Sequence, residues 1–255
     1  MNKTDSEAYR EKKRFFENLL TVYGRKPVLE ALQDPAVGIY RLHLAESNKS
    51  ADILDEIMAI AREKGAEIVY HNRQALSRIS KNAKQDQGVA ADLTLRGYKT
   101  YTTFLDKPPS DPFTLLALDG INNPQNLGMI IRSACAGNID GILLPQKGNA
   151  QIDPLVIKAS AGTLFRAPIL RCESLLKALK EFQQQGVDIC SLSSHAPKTL
   201  KEFQPKGACI YVLGNETDGV SAEVEKLCNQ RVRIPMNNGV ESLNVAVTAA
   251  LIAFR

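Results

Sequence analysis

Val232-Arg-Ile-Pro-Met-Asn-Asn-Gly-Val-Glu-Ser-Leu-Asn-Val-Ala-Val-Thr-Ala-Ala-Leu-Ile-Ala-Phe-Arg255 closes the chain and predicts a strand, a loop and a helix. Pro235 ends the strand, because proline has no N–H to give to a sheet ladder. Asn237–Gly239 is predicted to form a turn, since asparagine and glycine tolerate positive φ. Ser242 is the predicted N-cap of a helix over Leu243–Phe254.

This last helix is apolar on nearly every face, which predicts that it is buried all round or shared with another subunit. Two small polar side chains, Ser242 and Asn244, lie at its beginning. Buried polar groups need hydrogen-bond partners. Those partners are either backbone groups, in a purely structural segment, or a ligand.

Composition describes an ordinary soluble chain. Hydrophobic residues make up 44% and charged residues 24% of 255 residues, enough for one large domain or two smaller ones with a sizeable core. The net charge of +4 permits a nucleic-acid partner without demanding one. The polar N-terminus resembles neither a secretory signal nor a transit peptide, and no apolar run approaches the ~20 residues that span a bilayer. We expect a cytoplasmic protein.

The five cysteines are scattered: Cys135, Cys172, Cys190, Cys209 and Cys228. None forms a C-x-x-C pair, and the three histidines do not cluster with them, so we expect no metal site. An odd, unpatterned count indicates free thiols in a reducing compartment.

The distribution of charged, apolar and proline residues divides the chain into four segments. Residues 1–20 are a charged extension, 21–97 a small α/β unit, 98–112 a proline-containing connector, and 113–255 a larger α/β unit. The first unit carries basic and amide side chains at Arg41, Lys49, Arg73, Arg78, Lys81, Asn82 and Lys84. Its segment Lys81–Gln87 is either a solvated loop or a contact surface for a large polyanion.

In the larger unit, short apolar strands alternate with helices, which predicts a parallel sheet covered on both faces. Ligands of such sheets collect beyond the carboxyl ends of the strands. Three polar loops fall there, at residues 122–125, 214–219 and 236–241. Neither G-x-G-x-x-G nor a P-loop motif is present, which argues against an ordinary dinucleotide enzyme such as an oxidoreductase.

The first polar loop leads into a helix, and Asn126 lies at the helix start, where N–H groups favour anions. Arg132 follows within Met-Ile-Ile-Arg-Ser-Ala, which predicts a largely buried helix. A buried arginine needs an anionic partner. That partner is either Glu216, as an internal ion pair, or a phosphate. Glu216 itself lies between two glycines. It is therefore either part of a structural turn or a residue that contacts a ligand.

Three motifs occur together: N-P-x-N-x-G-x-x-x-R-S-A from Asn123, L-G-N-E-x-x-G from Leu213, and I-P-M-x-x-x-x-x-S-L-N-V from Ile234. Their order and spacing resemble the SpoU (TrmH) family of RNA ribose 2′-O-methyltransferases, in the SPOUT superfamily. The resemblance implies an α/β domain with a deep trefoil knot. The first unit looks like the L30e-like substrate-binding domain of ribosomal-RNA members, matching at Tyr23-Gly24, Pro27-Val28 and Gln87-Gly88.

The resemblance also implies the chemistry. S-adenosylmethionine would lie in the knot, held by Gly214, Ile234, Met236 and Leu243. The catalytic set would be Asn126, Arg132, Glu216, Ser242 and Asn244. Family members are homodimers that pack their terminal helices across a two-fold axis. The two-domain layout favours 23S ribosomal RNA as the substrate; a transfer-RNA substrate and a non-catalytic RNA-binding protein are the alternatives.

Overall fold

The chain divides into two α/β units, the second of which begins at Tyr98. A computed structural model describes residues 19–35, 37–80, 85–95, 98–108, 112–215 and 217–255. Most of the predicted extension, the Lys81–Lys84 part of the predicted basic loop, and Glu216 lie outside these residues.

The first unit has a four-stranded sheet with three described helices. Its elements are β1 (Leu19–Tyr23), α1 (Arg25–Gln33), β2 (Val37–Ala45), α2 (Asp52–Glu63), β3 (Glu67–His71), α3 (Arg73–Ser80) and β4 (Val89–Leu95). The strand order is β1-β4-β2-β3, with β2 and β3 parallel and both pairings of β4 antiparallel.

Local sequence explains most of this unit. In α2 the buried residues Leu54, Ile57 and Ala61 recur at helical spacing, and Gly65 follows with a φ of 71°. The sequence pattern does not predict strand β1, because Leu19 and Leu20 fall within the predicted charged extension. That assignment is wrong for these two residues, because they pair with β4 as its edge neighbour.

The second unit is built on one eight-stranded sheet. Its elements are β5 (Lys99–Thr100), α4 (Tyr101–Asp106), β6 (Thr114–Leu118), α5 (Pro124–Ala136), β7 (Gly141–Pro145), α6 (Pro154–Ser160), a 3-10 turn (Thr163–Phe165), β8 (Ile169–Cys172), α7 (Leu175–Gln184), β9 (Asp188–Leu192), β10 (Lys198–Thr199), β11 (Cys209–Leu213), α8 (Ala222–Glu225), β12 (Gln230–Arg233) and α9 (Val245–Ala253).

Every pairing in this sheet is parallel, in the order β10-β12-β9-β11-β6-β7-β8-β5. The central strands β6, β7 and β11 are buried throughout their apolar residues, as expected of a sheet covered on both faces. The predicted α/β class with a parallel sheet is confirmed. The carboxyl ends of β6, β11 and β12 meet at one edge, so the three polar loops emerge together.

The predicted extended connector is wrong over Lys99–Asp106. Lys99–Thr100 pairs with β8, and Tyr101–Asp106 forms a helix. Phe104 of that helix is buried against Phe113 and Phe182, with an edge-on Phe104–Phe113 contact of 5.2 Å between ring centroids. The prolines that suggest an extended connector lie only in the segment after this helix. In the described part of the chain, none of the helices has the length and apolarity required to cross a membrane.

Candidate active site

Two helices of the second unit, α5 and α9, lie side by side and run in the same direction. At their N-terminal ends, Asn244 Nδ2 donates to Asn126 Oδ1 across 3.0 Å. At their C-terminal ends, the Asn138 N–H donates to the Ala253 carbonyl across 2.7 Å. A Cβ on Gly137 would lie 2.4 Å from that carbonyl oxygen, so only glycine permits this approach. The two helices, which begin in the first and third motifs, are thereby fixed to each other at both ends.

Asn126 lies in the first turn of α5 and is only 6% exposed. The helix begins earlier than predicted, at Pro124, because Asn123 caps it by accepting from the Gln125 N–H across 2.9 Å. Gly128 lets α6 approach closely, since a Cβ there would lie 2.5 Å from Ala159 Cβ. The motif glycine therefore serves helix packing.

Asn244, and not Ser242, is the N-cap of α9. Its Oδ1 accepts from the Ala246 N–H across 2.8 Å while its Nδ2 binds Asn126. The prediction for Ser242 is wrong because asparagine is an equally good cap and the tertiary contact with α5 holds it in place. Ser242 is exposed.

The loop after β11 is closed on itself. Asn215 and Gly219 exchange two backbone hydrogen bonds, each of 2.9 Å. The Asn215 side chain also donates to the Gly120 carbonyl across 2.9 Å, which joins this loop to the one after β6. A Cβ on Gly214 would lie 2.1 Å from the Gly219 carbonyl carbon, so this position requires glycine. The neighbouring Glu216 lies outside the described residues.

Side-chain hydrogen bonds hold the loops at this edge of the sheet in place. They come from three residues that the sequence analysis does not propose for the site: Asn215, Asp119 and Asn149. Asp119 Oδ2 accepts from the Ser221 N–H across 2.7 Å. Buried Asn149 accepts from the Ile121 N–H across 2.7 Å and donates to the Leu118 carbonyl across 3.2 Å. Asn215 lies within the second motif, so the sequence could have identified it as a site residue. Asn149 lies in none of the three motifs, so the sequence gives no such indication.

Arg132 is exposed, and the prediction that its guanidinium is buried is wrong for a single chain. It lies one turn after Met129, which is 40% exposed, on the side of α5 that turns away from the sheet. Apolar neighbours in sequence do not imply burial when they point to other faces of a helix. Among the described residues, none forms a hydrogen bond or an ion pair with Arg132.

The loop between β12 and α9 contains the remaining predicted residues. Ile234 and Met236 are half-buried, whereas Leu243 is 37% exposed. Across the fully described segment 234–243, the single internal backbone hydrogen bond runs from the Val240 N–H to the Asn237 carbonyl, at 3.2 Å. Much of its backbone therefore remains available to a ligand. The structure joins Asn126 to Asn244, but within its described part no hydrogen bond joins Ser242 to either of them.

Comparison with known proteins agrees with this architecture. Residues 113–254 match the model of the SpoU rRNA Methylase family. Residues 21–98 match the model of a second domain family, described as RNA 2′-O ribose methyltransferase substrate binding. An uncharacterized tRNA/rRNA methyltransferase of Mycolicibacterium vanbaalenii is 35% identical over 235 residues, which cover 91% of this chain and 74% of that protein.

Solved structures show the same fold. The SpoU methyltransferase AviRb from Streptomyces viridochromogenes, in complex with AdoMet, superimposes with a TM-score of 0.78 at 22% identity, covering 98% of this chain and 91% of AviRb. A putative RNA methyltransferase of the TrmH family from Porphyromonas gingivalis superimposes with a TM-score of 0.70 at 27% identity, covering 97% and 91%.

The fold and the three motifs define an RNA methyltransferase with a separate substrate-binding unit. The chain belongs to the SpoU rRNA methylase family. The resemblance drawn from the motifs is thus confirmed. Among the described residues there is no cluster of three or more His, Cys, Asp or Glu side chains suited to a metal ion.

Proposed function

We propose that this protein transfers the methyl group of S-adenosylmethionine to a ribose 2′-hydroxyl of structured RNA, with large-subunit ribosomal RNA as the substrate. The hydrogen bond between Asn126 and Asn244 carries the proposal. It joins the first and third motifs at the sheet edge where the closed 214–219 loop also emerges. Ligands of parallel α/β sheets bind at that edge.

The residues present fit the methyl donor. Gly214 lies in a tight loop that tolerates no side chain at this position. Ile234, Met236 and Leu243 lie on a segment whose backbone groups are largely unpaired, and such groups can recognise an adenine edge and an amino-acid carboxylate. S-adenosylmethionine, when bound, supplies a methyl group already activated by its positive sulfur. We therefore assign cofactor binding to these four residues.

The side chains of the site then have to position the ribose and control charge. Arg132 points outward and is suited to hold an RNA phosphate and steer the 2′-oxygen. A guanidinium holds its protons too tightly to act as a good general base. Asn126 and Asn244 fix the helix pair beneath the ribose, and Ser242 contacts the sugar from the loop. We assign to Glu216 the anchoring of Arg132 or the shaping of the cofactor loop.

We further propose a homodimer formed through α9. Val247, Leu251 and Phe254 share one face of this helix and are 47%, 43% and 63% exposed. These three side chains form an apolar surface, which we call the α9 patch, and Met129, 40% exposed, lies on the adjoining helix α5. Exposed patches of this kind mark interaction sites. Burial of the α9 patch against a second copy would place Arg132, one turn after Met129 on α5, beside the subunit interface.

From the family we also propose ribosomal RNA as the substrate, a trefoil knot in the second unit and a cytoplasmic location. The relatives' names cover both transfer and ribosomal RNA. The substrate-binding unit preceding the methylase unit favours a large folded RNA, since it adds a second contact surface. A non-catalytic RNA-binding protein of this fold would not need Asn126, Arg132 and Asn244 together.

The test is methyl transfer from labelled S-adenosylmethionine to deproteinised large-subunit ribosomal RNA and, separately, to unfractionated transfer RNA. We expect incorporation into the ribosomal RNA. Arg132→Ala should abolish transfer while calorimetry still shows cofactor binding. Labelling of transfer RNA alone would overturn the substrate, and no transfer to either RNA despite cofactor binding would favour the non-catalytic alternative.

A further inference from the structure

The loop after β7 contains a buried amide, Asn149, that lies outside the three motifs. Its side chain is bonded at both ends and the residue is only 8% exposed. Asn149 Oδ1 accepts from the Ile121 N–H across 2.7 Å, and Nδ2 donates to the Leu118 carbonyl across 3.2 Å. The Ala150 N–H also donates to the Ile121 carbonyl across 2.7 Å. A single side chain thus holds two backbone groups of one short segment after β6.

That segment, Leu118–Ile121, is a bend at the carboxyl end of β6. Gly120 has a φ of 78°, which glycine adopts readily. In an ordinary four-residue turn, the first carbonyl accepts from the fourth N–H. Here the Leu118 carbonyl and the Ile121 N–H bind the Asn149 amide instead. The bend is therefore closed by a side chain from another loop, and its shape depends on that side chain.

The two middle residues of the bend hold the loop after β11. The Asp119 N–H donates to the Leu213 carbonyl across 2.9 Å, and Asp119 Oδ2 accepts from the Ser221 N–H across 2.7 Å. The Gly120 carbonyl accepts from Asn215 Nδ2 across 2.9 Å. The bend therefore contacts the loop after β11 at its beginning and just beyond its end. Strand β6 lies between β7 and β11, so Asn149 reaches that loop only through the bend.

We propose that Asn149 is a positioning residue for cofactor binding, which acts through the bend on the loop that contains Gly214. This inference rests on the proposed function for the assignment of Gly214 to S-adenosylmethionine. A bend of fixed shape keeps the loop ready for the cofactor. Without the amide, part of the binding free energy has to order the bend, and the affinity falls.

An amide is required because the bend presents one donor and one acceptor to the same side chain. A carboxylate has the shape of the amide and can still accept from the Ile121 N–H, but it has no donor for the Leu118 carbonyl. Its second oxygen would face the carbonyl oxygen in a buried place, without a hydrogen bond. Asn149→Asp therefore tests the bridge without changing the volume of the side chain.

The experiment measures binding of S-adenosylmethionine to the full chain by calorimetry, in the absence of RNA. The variants are Asn149→Ala, which removes both hydrogen bonds, and Asn149→Asp. Asn149→Ser, a milder change, is added so that a folded variant is available if the other two lose stability. Urea unfolding of the cofactor-free proteins identifies the folded variants.

The matched control is Asn229→Ala, at the amino end of β9 and so at the opposite edge of the same sheet. Asn229 Oδ1 accepts from the Ile189 N–H across 2.8 Å, and its Nδ2 donates to Asp188 Oδ1 across 2.9 Å. This variant also removes an amide bonded at both ends, but it leaves the bend intact. It separates a general loss of stability from a specific loss of cofactor affinity.

We expect Asn149→Ala and Asn149→Asp to weaken cofactor binding at least tenfold and Asn149→Ser at least threefold, whereas Asn229→Ala should stay within twofold of the natural sequence. Folded Asn149 variants with the affinity of Asn229→Ala would overturn the inference. Full affinity of Asn149→Asp alone would overturn the two-point bridge, because it would show that the bond to the Leu118 carbonyl is not needed.

Methyl transfer separates this inference from the proposed function. If both hold, Asn149→Ala raises the KM for S-adenosylmethionine, while kcat at saturating cofactor and the KM for RNA stay unchanged, because the Asn126–Asn244 contact is untouched. A lower kcat with an unchanged KM for the cofactor would refute the positioning role. Weakened calorimetric binding in a protein that methylates no RNA would support the role of Asn149 and refute the proposed function.

Discussion

Asn244 forms two structural contacts with one side chain: its oxygen caps α9, and its nitrogen binds Asn126 across 3.0 Å. One residue therefore sets both where the last helix begins and how it lies on α5. The loop that precedes it, from Ile234 to Leu243, is consequently held at its C-terminal end by a contact between two motifs distant in sequence.

This double role predicts different outcomes for two substitutions. Asn244→Ser keeps a capping oxygen but is too short to reach Asn126, whereas Asn244→Ala loses both contacts. Both should lower kcat about 10- to 100-fold, because the site shifts. Only the alanine variant should also lose about 1 kcal/mol of unfolding free energy from the cap. Single-turnover rates and urea unfolding measure the two effects. Full activity of Asn244→Ser would show that the Asn126 contact is not needed.

Gly128 should be intolerant of any side chain for a packing reason alone. Its Cβ would meet Ala159 Cβ at 2.5 Å and the Val156 carbonyl oxygen at 2.6 Å, so α5 and α6 must separate. We expect Gly128→Ala to cost about 1–3 kcal/mol of unfolding free energy. Gly207→Ala is the control, since a Cβ there meets nothing within 4 Å. Equal stability of the two variants in urea would contradict the packing assignment.

The sequence predicted elements whose pattern is local. The strands Val89–Leu95 and Cys209–Leu213 are examples, because an apolar run between turn residues predicts a buried strand. The parallel sheet and the family also followed from patterns along the chain. The adjacency of Asn126 and Asn244 could be inferred only through the family, since 118 residues separate them.

Other features depend on tertiary contacts that local patterns do not contain. Tyr101–Asp106 forms a helix because Phe104 fills a space between Phe113 and Phe182. Arg132 is exposed because its face of α5 is not the one that packs on the sheet. Its apolar neighbours Ile130 and Ile131 are buried on the other faces, so they gave a misleading signal.

The α9 patch predicts an oligomer that one charge can dissociate. Leu251→Glu places a carboxylate in the centre of the apolar surface, and its desolvation would oppose association. We expect sedimentation velocity to show a dimer for the natural sequence and a monomer for this variant. Leu155→Glu is the matched control, because Leu155 is 41% exposed on α6 and outside the patch. A monomeric natural protein at micromolar concentration would refute the dimer.

A hydrogen-bonded chain in the first unit predicts loss of stability in acid. His43 Nδ1 lies 2.9 Å from His71 Nε2, and His43 Nε2 lies 3.0 Å from Asp92 Oδ2. Burial, followed by repulsion from His43, lowers the pKa of His71. Burial raises the pKa of Asp92, but hydrogen bonds from His43 and Thr21 outweigh it, so the net pKa is lowered and Asp92 stays ionised.

Because the folded state binds the His71 proton more weakly than the unfolded state, stability is intact above a pH of about 6.5 and falls as the pH is lowered through the folded pKa. Amide exchange of β2 and β3, corrected for intrinsic rates, should show lower protection at pH 5.5 than at pH 7.5. His71→Gln keeps a partner for His43 without a titrating group and should show a smaller change. An identical change in both proteins would contradict this origin.

The most direct test of the central claim is the position of the transferred methyl group on the RNA. RNA methylated by the purified protein is hydrolysed with alkali, and the resistant linkages are mapped. A methyl group on the 2′-oxygen removes the nucleophile that alkali requires, so we predict a labelled dinucleotide that survives and that is absent with Arg132→Ala. Label found only in alkali-released mononucleotides, on a base, would contradict transfer to the ribose.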